Sequence, residues 1–286
     1  MHETKGAPEE ILDTHLHLID RVRLDYSWLR GAGPLDRDWT LEAYAAEARR
    51  IGIGAAIHME VDVDPEYITA ETAWIEELAA SGIFPIAGII SSCRPELPGF
   101  EAEIERAQSR SAVVGFRRIL HEVPDDVSQT ETFRANIRKL GAAGLPFDIC
   151  MLARQLPLAI ELIDSAPETR FVLDHCGVPD IGGGEWDSWA TNIREIARRP
   201  NTFAKLSGVI AYGGPDWTLA EISRYVSHVI DCFGPARLCW GGDWPVCTKG
   251  GGLSTWVAAS RAIMASLSAE ERARIWQGTA RDIWNL

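Results

Sequence analysis

Residues 11–18 read Ile-Leu-Asp-Thr-His-Leu-His-Leu, an apolar stretch that carries two histidines two positions apart. In a β-strand, residues i and i+2 share a face, so His15 and His17 point to the same side. The opposite face, suited to packing against helices, takes Leu12, Thr14, Leu16 and Leu18. The stretch therefore predicts a strand with two imidazoles on one face near its C-terminal end.

Further short apolar runs follow along the chain, with amphipathic segments between them. The eight predicted strands cover residues 11–18, 53–61, 83–91, 113–120, 145–152, 170–177, 202–209 and 237–244. Three predicted helices begin with capping boxes, at Ser128-x-x-Glu131, Thr218-x-x-Glu221 and Ser268-x-x-Glu271. Near-continuous apolar strands that alternate with helices are typical of a parallel sheet covered by helices.

Eight such units predict an α/β protein, a single-domain (β/α)8 TIM barrel over residues 11–286, with an N-terminal tail over residues 1–10. A doubly wound open sheet is the alternative, and it usually has fewer units. No Gly-x-Gly-x-x-Gly turn follows the first strand, so the sequence does not support a dinucleotide site.

Composition narrows the classes of partner. The chain has 286 residues, 41 of them acidic and 28 basic, for a formal net charge of −13. This balance argues against nucleic acid or a membrane surface as the partner, because phosphate binding needs a basic face. The six cysteines form no Cys-x-x-Cys pair, which predicts free thiols and a cytoplasmic location. A small-molecule substrate is the expected partner, and a homo-oligomer stays open.

The candidate catalytic residues stand at predicted strand ends, where barrels of this kind place their active sites. His15 and His17 end the first strand, His175 the sixth and Asp243 the eighth. Imidazoles in such places chelate a divalent metal or polarise a carbonyl oxygen, and a carboxylate takes a proton from water. Each residue alone has an ordinary structural explanation, a core histidine or a helix cap. Their convergence at one mouth predicts an active site.

Longer motifs around these residues run in order along the chain. They include Asp13-Thr14-His15-Leu16-His17, Gly115-Phe116-Arg117-Arg118, Leu173-Asp174-His175-Cys176-Gly177 and Gly242-Asp243-Trp244-Pro245. The set resembles the amidohydrolase superfamily and its amidohydrolase family 2 branch. Within that branch it is similar to sugar-lactone hydrolases of the L-fuconolactonase and L-rhamnonolactonase kind and to 2-pyrone-4,6-dicarboxylate lactonases.

The resemblance implies a lactonase, a hydrolase of carboxylic ester bonds that opens a small lactone. A sugar acid lactone in carbohydrate catabolism is the expected substrate. By the same resemblance, Asp243 is the general base that activates water, and His15, His17 and His175 polarise the carbonyl.

The resemblance leaves the cofactor open between one divalent metal ion, zinc or manganese, and none. If a metal is bound, its implied ligands are His15, His17 and Asp243. A binuclear centre is not expected, because the fifth predicted strand carries no histidine. A metal-dependent decarboxylase of aromatic or unsaturated carboxylic acids is the alternative enzyme, and a binding protein without turnover is the non-catalytic alternative.

Two arginines and three aromatic residues are candidates for substrate binding. Arg117 ends the fourth strand and Arg154 follows the fifth, where a guanidinium suits a substrate carboxylate or hydroxyl. Tyr26 and Trp28 lie in the loop after the first strand, and Trp244 follows the proposed base.

Three other polar residues receive structural expectations. Arg118 is adjacent to Arg117, so the two cannot both point inward. Glu60, after the second strand, is expected to be a loop charge that faces solvent. Ser207 has no obvious partner base in the sequence, and no Gly-x-Ser-x-Gly elbow occurs, so a serine nucleophile is not expected.

Overall fold

A computed structural model describes residues 9–110, 112–214 and 216–286. Within these ranges, eight strands form one parallel sheet in chain order from the first to the eighth. The strands are β1 (Ile11–Leu16), β2 (Ile53–Met59), β3 (Ile86–Ser92), β4 (Val113–Ile119), β5 (Phe147–Cys150), β6 (Phe171–Leu173), β7 (Thr202–Leu206) and β8 (Leu238–Trp240). All eight predicted strands are confirmed.

The sheet closes on itself where β1 meets β8 and the segment after it. The Thr14 hydroxyl donates to the Trp240 carbonyl at 2.8 Å, and the His17 N–H donates to the Trp244 carbonyl at 2.8 Å. Leu16 and Trp244 also form a parallel bridge. The predicted (β/α)8 barrel is confirmed.

Helices follow the strands and cover the outside of the barrel. They are α1 (Leu41–Ile51), α2 (Ile68–Ala80), α3 (Phe100–Gln108), α4 (Glu131–Ala142), α5 (Leu156–Ser165), α6 (Asp187–Ala197), α7 (Val209–Tyr212), α8 (Leu219–Phe233), α9 (Leu253–Ile263), α10 (Ala269–Ala273) and α11 (Thr279–Trp284). In the described ranges, no helix combines the length and apolar character needed to cross a bilayer.

Two of the three predicted capping boxes are confirmed, at Thr218 with Glu221 and at Ser268 with Glu271. The predicted cap at Ser128 is wrong, because that residue lies in a short 3-10 turn before α4. Thr130 caps α4 instead, and its hydroxyl accepts from the Phe133 N–H at 3.2 Å. A threonine directly before the first helical residue is placed to accept that bond, whereas a serine two residues earlier is not.

A register shift between Asp13 and Leu16 changes the faces of β1. The sequence predicts that Leu12 faces the helices, but Leu12 joins an apolar cluster with Val172 of β6, a strand that does not neighbour β1. Residues of such strands meet only inside the barrel. A bulge places an extra residue on one strand, so residues three apart lie on the same side. Leu12 and His15 therefore both face inward, and the prediction for Leu12 is wrong.

The C-terminal helix α11 lies across the N-terminal ends of the strands. Arg170, just before β6, donates to the Asp282 carbonyl at 3.2 Å, and the Thr279 hydroxyl donates to the Pro235 carbonyl ahead of β8 at 3.0 Å. The buried Trp284 reaches the interior, where the Lys205 ammonium lies 5.5 Å from the centre of its ring. This end of the barrel is thus plugged by apolar side chains.

The chain before β1 is described only from Glu9 onward, so residues 1–8 of the predicted tail lie outside the described residues. Glu9 accepts from the Trp276 indole N–H at 2.9 Å. All six cysteines lie in the described ranges, and all six are free thiols, five of them buried.

Candidate active site

A cavity of about 520 Å³ opens at the C-terminal end of the strands. His17, His175 and Asp243 line it, together with Tyr212 and Trp28. Three of the four predicted catalytic residues therefore reach one cavity wall, and His15 lies directly behind them. Its ring centre is 4.8 Å from that of His17 and 4.5 Å from that of His175.

Asp243 lies between His15 of β1 and His17, which directly follows that strand. Its Oδ1 atom is 3.6 Å from Nε2 of His17 and 3.8 Å from Nε2 of His15. The Asp243 side chain is buried, and its Oδ2 atom has no hydrogen-bond partner among the described residues. A buried carboxylate oxygen without a partner in the protein is suited to accept from a water or substrate.

Left-handed backbone conformations aim two of these side chains. Asp243 has φ of 54° and His175 has φ of 53°, a region that non-glycine residues seldom adopt. Gly208 allows His175 to approach, because a Cβ at Gly208 would lie 2.5 Å from Nδ1 of His175. Nδ1 of His175 shares a hydrogen bond with the Ser207 hydroxyl at 2.9 Å. Ser207 thus does have an imidazole partner, which the sequence alone did not indicate.

Asp13 ties the first strand to the segment that carries Asp243. It is buried, and its carboxylate accepts from the N–H groups of His15 at 2.9 Å and Gly242 at 2.7 Å and from the Tyr44 hydroxyl at 2.8 Å. These bonds fix the backbone on both sides of the His15–Asp243 contact.

A chain of alternating charges crosses the barrel beneath His15. Asp148 Oδ2 is 2.7 Å from Lys205 Nζ, which is 3.0 Å from Asp174 Oδ1. Asp174 Oδ2 is 3.3 Å from Arg117 Nη1, and Arg117 Nε is 2.6 Å from Glu60 Oε1. All five side chains are at most 3% exposed, so each charge is stabilised by its neighbours and not by water.

This chain and its burial shift the pKa values of the site. Burial, with Lys205 as the next cause, holds the pKa of His15 well below the usual range, and burial also lowers the pKa of His175. Both imidazoles are therefore neutral at pH 7. Burial opposes the charge of Asp174, yet Lys205, His15 and His175 together outweigh it and keep the pKa of that carboxyl well below its ordinary value.

The hydrogen bonds of His17 suit a metal ligand. Its Nδ1 donates to the Met59 carbonyl at 3.0 Å, which leaves the Nε2 lone pair facing Asp243. Ligand atoms of tetrahedral zinc lie about 3.4 Å apart when each bond is about 2.1 Å. The Nε2–Oδ1 distances of 3.6 and 3.8 Å and the unpartnered Oδ2 of Asp243 show that His15, His17 and Asp243 fit one divalent ion.

His15, Asp174 and His175 form a second group with ligand atoms close together. Both oxygens of Asp174 are already within 3.3 Å of a cation, one near Lys205 and the other near Arg117. The group around Asp243 is therefore the better candidate for a metal.

The predicted substrate-binding residues divide into two sets. Trp28 and Arg117 line the cavity, although Arg117 is 2% exposed and already bound to carboxylates. Tyr26 and Trp244 are buried and support the walls, and neither lines the cavity. The structure does not bring Arg154 to the cavity: its side chain is 58% exposed and pairs with Asp125 at 2.7 Å.

The two expectations beside Arg117 have opposite outcomes. Arg118 turns away from Arg117 and pairs with Glu96 at 2.9 Å, as predicted. The expectation that Glu60 faces solvent is wrong, because it is 1% exposed and bound to Arg117. A carboxylate at a strand end stays charged in a loop only if water or a cation stabilises it. For Glu60 the Arg117 guanidinium takes the place of water.

Several residues of the site were missed in the sequence. Lys205 and Asp148 stand inside the apolar runs Thr-Phe-Ala-Lys-Leu and Phe-Asp-Ile-Cys. A charge in the middle of a buried strand is itself a signal for a partner on another strand. Tyr212, in α7, gave no signal; its ring lies 5.9 Å from that of His175, and its hydroxyl has no hydrogen bond to the described residues.

Comparisons with known proteins identify the family of this chain. The family model described as Amidohydrolase matches residues 12–286. A curated relative from Burkholderia ambifaria, L-fucono-1,5-lactonase, is 33% identical, and the alignment covers 94% of this chain and 93% of that protein.

Solved structures give the same result at the level of the fold. An amidohydrolase from Burkholderia multivorans, crystallised with bound zinc, is 28% identical with a TM-score of 0.85, over 97% of this chain and 99% of that one. The 5-carboxyvanillate decarboxylase of Sphingomonas paucimobilis is 16% identical with a TM-score of 0.70, over 97% of this chain and 99% of that one. The second likeness concerns the fold alone.

Proposed function

The chain belongs to the amidohydrolase family, and we propose from its site that it is a hydrolase that opens a small lactone, a sugar acid lactone in the first instance. One observation carries the proposal: the buried Asp243 carboxylate lines the cavity with Oδ1 beside Nε2 of His15 and of His17 and with Oδ2 lacking a hydrogen-bond partner among the described residues. The L-fucono-1,5-lactonase relative supports the choice of substrate class.

The proposed reaction needs only water, one base and a polarised carbonyl. Asp243 takes a proton from water as the water oxygen bonds to the carbonyl carbon of the lactone. His175, whose Nδ1 can accept from the Ser207 hydroxyl at 2.9 Å, would carry its proton on Nε2 and donate it to the developing oxyanion. His15 and His17 would polarise the carbonyl through a divalent ion held on their Nε2 atoms. When the ring C–O bond breaks, Asp243 returns its proton to the leaving oxygen, so one water is added and the base is regenerated.

A divalent ion fits the same residues. His15, His17 and Asp243 would hold it, and its positive charge would polarise the carbonyl. The zinc in the structure from Burkholderia multivorans supports zinc as the first metal to test.

The surrounding residues would position the substrate. Trp28 is anchored by its indole N–H, which donates to the Val61 carbonyl at 2.8 Å, so its ring offers a fixed apolar surface to a sugar. Burial, with Asp243 as the next cause, holds the pKa of Tyr212 well above the ordinary value, so its hydroxyl stays a proton donor to a substrate oxygen. We also expect a cytoplasmic enzyme, since all six cysteines are free thiols. The L-fucono-1,5-lactonase relative favours a role in carbohydrate catabolism.

Asp243→Asn tests the proposed base. We expect it to lower kcat by about a thousandfold, since a positioned general base contributes about 10²–10⁴ in rate. The assay is proton release from a panel of five- and six-membered sugar lactones, L-fucono-1,5-lactone included. Asp62→Asn is the matched control, because Asp62 also lines the cavity but pairs with Arg94 at 3.5 Å.

The control variant should stay within threefold of the wild-type rate. A folded Asp243→Asn enzyme that keeps more than a tenth of wild-type kcat would remove Asp243 from the mechanism. The decarboxylase alternative stays a prediction, since the solved decarboxylase shares only the fold with this chain. Release of CO2 from an aromatic acid, abolished by a chelator and unmatched by any lactone, would favour it.

A further inference from the structure

We propose that Arg117 competes with a divalent cation for Nε2 of His15 and thereby weakens metal binding at the His15–His17–Asp243 group. The inference rests on the proposed metal site but not on the identity of the lactone. It assigns to Arg117 a role that differs from the substrate binding expected from the sequence.

The contact between Arg117 and His15 is direct. Arg117 Nη1 lies 3.2 Å from Nε2 of His15, within hydrogen-bond distance, and donates to it when Nε2 carries the lone pair. A neutral imidazole carries one N–H and one lone pair, so only one of its nitrogens accepts. The same lone pair is needed by any metal ion on His15 Nε2. The Arg117 N–H and a metal ion therefore compete for one lone pair.

The other ring nitrogen does not resolve the conflict. Nδ1 of His15 lies 3.6 Å from Asp174 Oδ1, an acceptor that favours a proton on Nδ1. Lys205 Nζ is 3.3 Å from Nδ1, and two of its three N–H groups serve Asp148 and Asp174 at 2.7 and 3.0 Å. With the proton on Nδ1, the Nε2 lone pair faces Arg117; with the proton on Nε2, a metal ion finds no lone pair there.

Arg117 is not free to swing away when an ion arrives. Its Nε donates to Glu60 Oε1 at 2.6 Å, its Nη2 to the Glu60 carbonyl at 2.7 Å, and its Nη1 also reaches Asp174 Oδ2 at 3.3 Å. The side chain is 3% exposed. A cation at His15 would thus meet a fixed guanidinium at short range, in addition to losing the lone pair.

The contrast with His17 makes the inference specific. Its Nδ1 donates to the Met59 carbonyl, and no cationic side chain of the described residues is within ion-pair or hydrogen-bond distance of its Nε2. The three ligands of the group are therefore unequal: His17 and Asp243 are available, and His15 is contested.

Zinc affinity of charge-matched variants tests the competition. Arg117→Gln alone would leave two buried carboxylates that attract zinc by themselves, so the informative variant is Arg117→Gln with Glu60→Gln, which removes one charge of each sign. We expect the zinc dissociation constant of the metal-stripped full-length protein to fall at least tenfold in this pair, measured by competition with a chromophoric chelator. Outer-sphere changes of this kind alter metal affinity by about 10–100-fold.

Two further variants separate competition from general electrostatics. Glu60→Gln alone keeps Arg117 and should not tighten zinc binding. Adding His17→Ala to the charge-matched pair should abolish the gained affinity, because the ion then lacks a ligand. A pair that folds, by its circular dichroism and Tm, yet binds zinc within twofold of the wild type would overturn the proposal, as would tightening in Glu60→Gln alone.

A measurement on the wild-type protein covers the case in which the pair does not fold. In ¹⁵N spectra, zinc titration should shift the Arg117 guanidinium signals together with His15 Nε2. Zinc coordination at His15 with unchanged Arg117 signals would reject the proposal. Neither outcome depends on lactone turnover, so the lactone assay of Asp243→Asn stays a separate test of the proposed function.

Discussion

At the N-terminal end of the barrel, Leu12 and Val172 meet Trp284 of α11 in a purely apolar cluster, whereas three carboxylates and two cations cross the barrel beneath His15. Apolar contacts at the first end are non-directional, so side chains of similar size can replace one another there. At the other end every charge depends on a partner at hydrogen-bond distance, since an unpaired buried charge is expensive. Stability and chemistry are therefore concentrated at opposite ends of the same strands.

Trp284→Ala should produce the largest effect on the apolar end. Loss of a buried indole leaves a cavity, and large-to-small core substitutions of this size reduce the free energy of unfolding by about 3–5 kcal/mol. Urea unfolding followed by circular dichroism measures the loss. Trp284 meets the charged chain only at the Lys205 ammonium, 5.5 Å from its ring, and Lys205 keeps Asp148 and Asp174 as partners. The kcat of the folded fraction should therefore stay within threefold of the wild type.

Trp284→Phe is the matched control. The indole N–H of Trp284 has no hydrogen-bond partner among the described residues, so phenylalanine forfeits volume but no hydrogen bond. It should recover more than half of the lost stability. A tenfold fall of kcat in either folded variant would contradict the separation of the two ends.

The two ends also differ in how far the sequence predicts them. Eight apolar runs at regular intervals indicate the barrel, because burial of a strand on both faces leaves a local pattern. The positions of His15, His175 and Asp243 at strand ends predict that these residues meet, because the C-terminal ends of the strands lie at one mouth of the barrel. The register shift in β1 follows from how the strands close into a barrel, which no local pattern records.

The polar contacts around the site are less predictable. Glu60 meets Arg117 and Asp148 meets Lys205, each across 57 residues of chain. The sequence around a single charged residue looks the same whether that residue pairs with a charge on another strand or is hydrated by water. Only the charges inside apolar runs, such as Lys205, could have been recognised as buried.

His58 lies near the charged end of the barrel but, unlike the charged residues there, has no polar partner among the described residues. It is fully buried, and neither ring nitrogen has a hydrogen-bond partner among the described residues. Burial, with His17 as the next cause, holds its pKa well below the usual value. An unsatisfied buried polar group costs about 1–3 kcal/mol. His58→Leu should therefore raise the free energy of unfolding by about 1 kcal/mol or more at pH 8.

The gain should grow as pH falls. Below about pH 6.5 the unfolded chain protonates His58 and the folded chain does not, so the wild type loses stability on acidification. The leucine variant lacks this proton uptake, and its advantage should increase as pH falls below 6.5, with a limiting slope of about 1.4 kcal/mol per pH unit. Urea unfolding at pH 8, 6 and 5 measures both quantities. A constant difference across this range would mean that His58 titrates alike in both states.

Arg154→Ala should have the smallest effect and defines the outer limit of the charged end. Arg154 shares a cationic head group with Arg117, but its side chain is 58% exposed and pairs only with the exposed Asp125. Exposed pairs contribute little because solvent screens them, so the urea midpoint should stay unchanged and kcat/KM on the lactone panel should stay within twofold. A selective tenfold rise of KM for lactones with an acidic substituent would instead show that substrate reaches Arg154. The loop after β5 would then contribute a substrate-binding cation from outside the cavity. Burial would no longer distinguish structural cations from those that bind substrate.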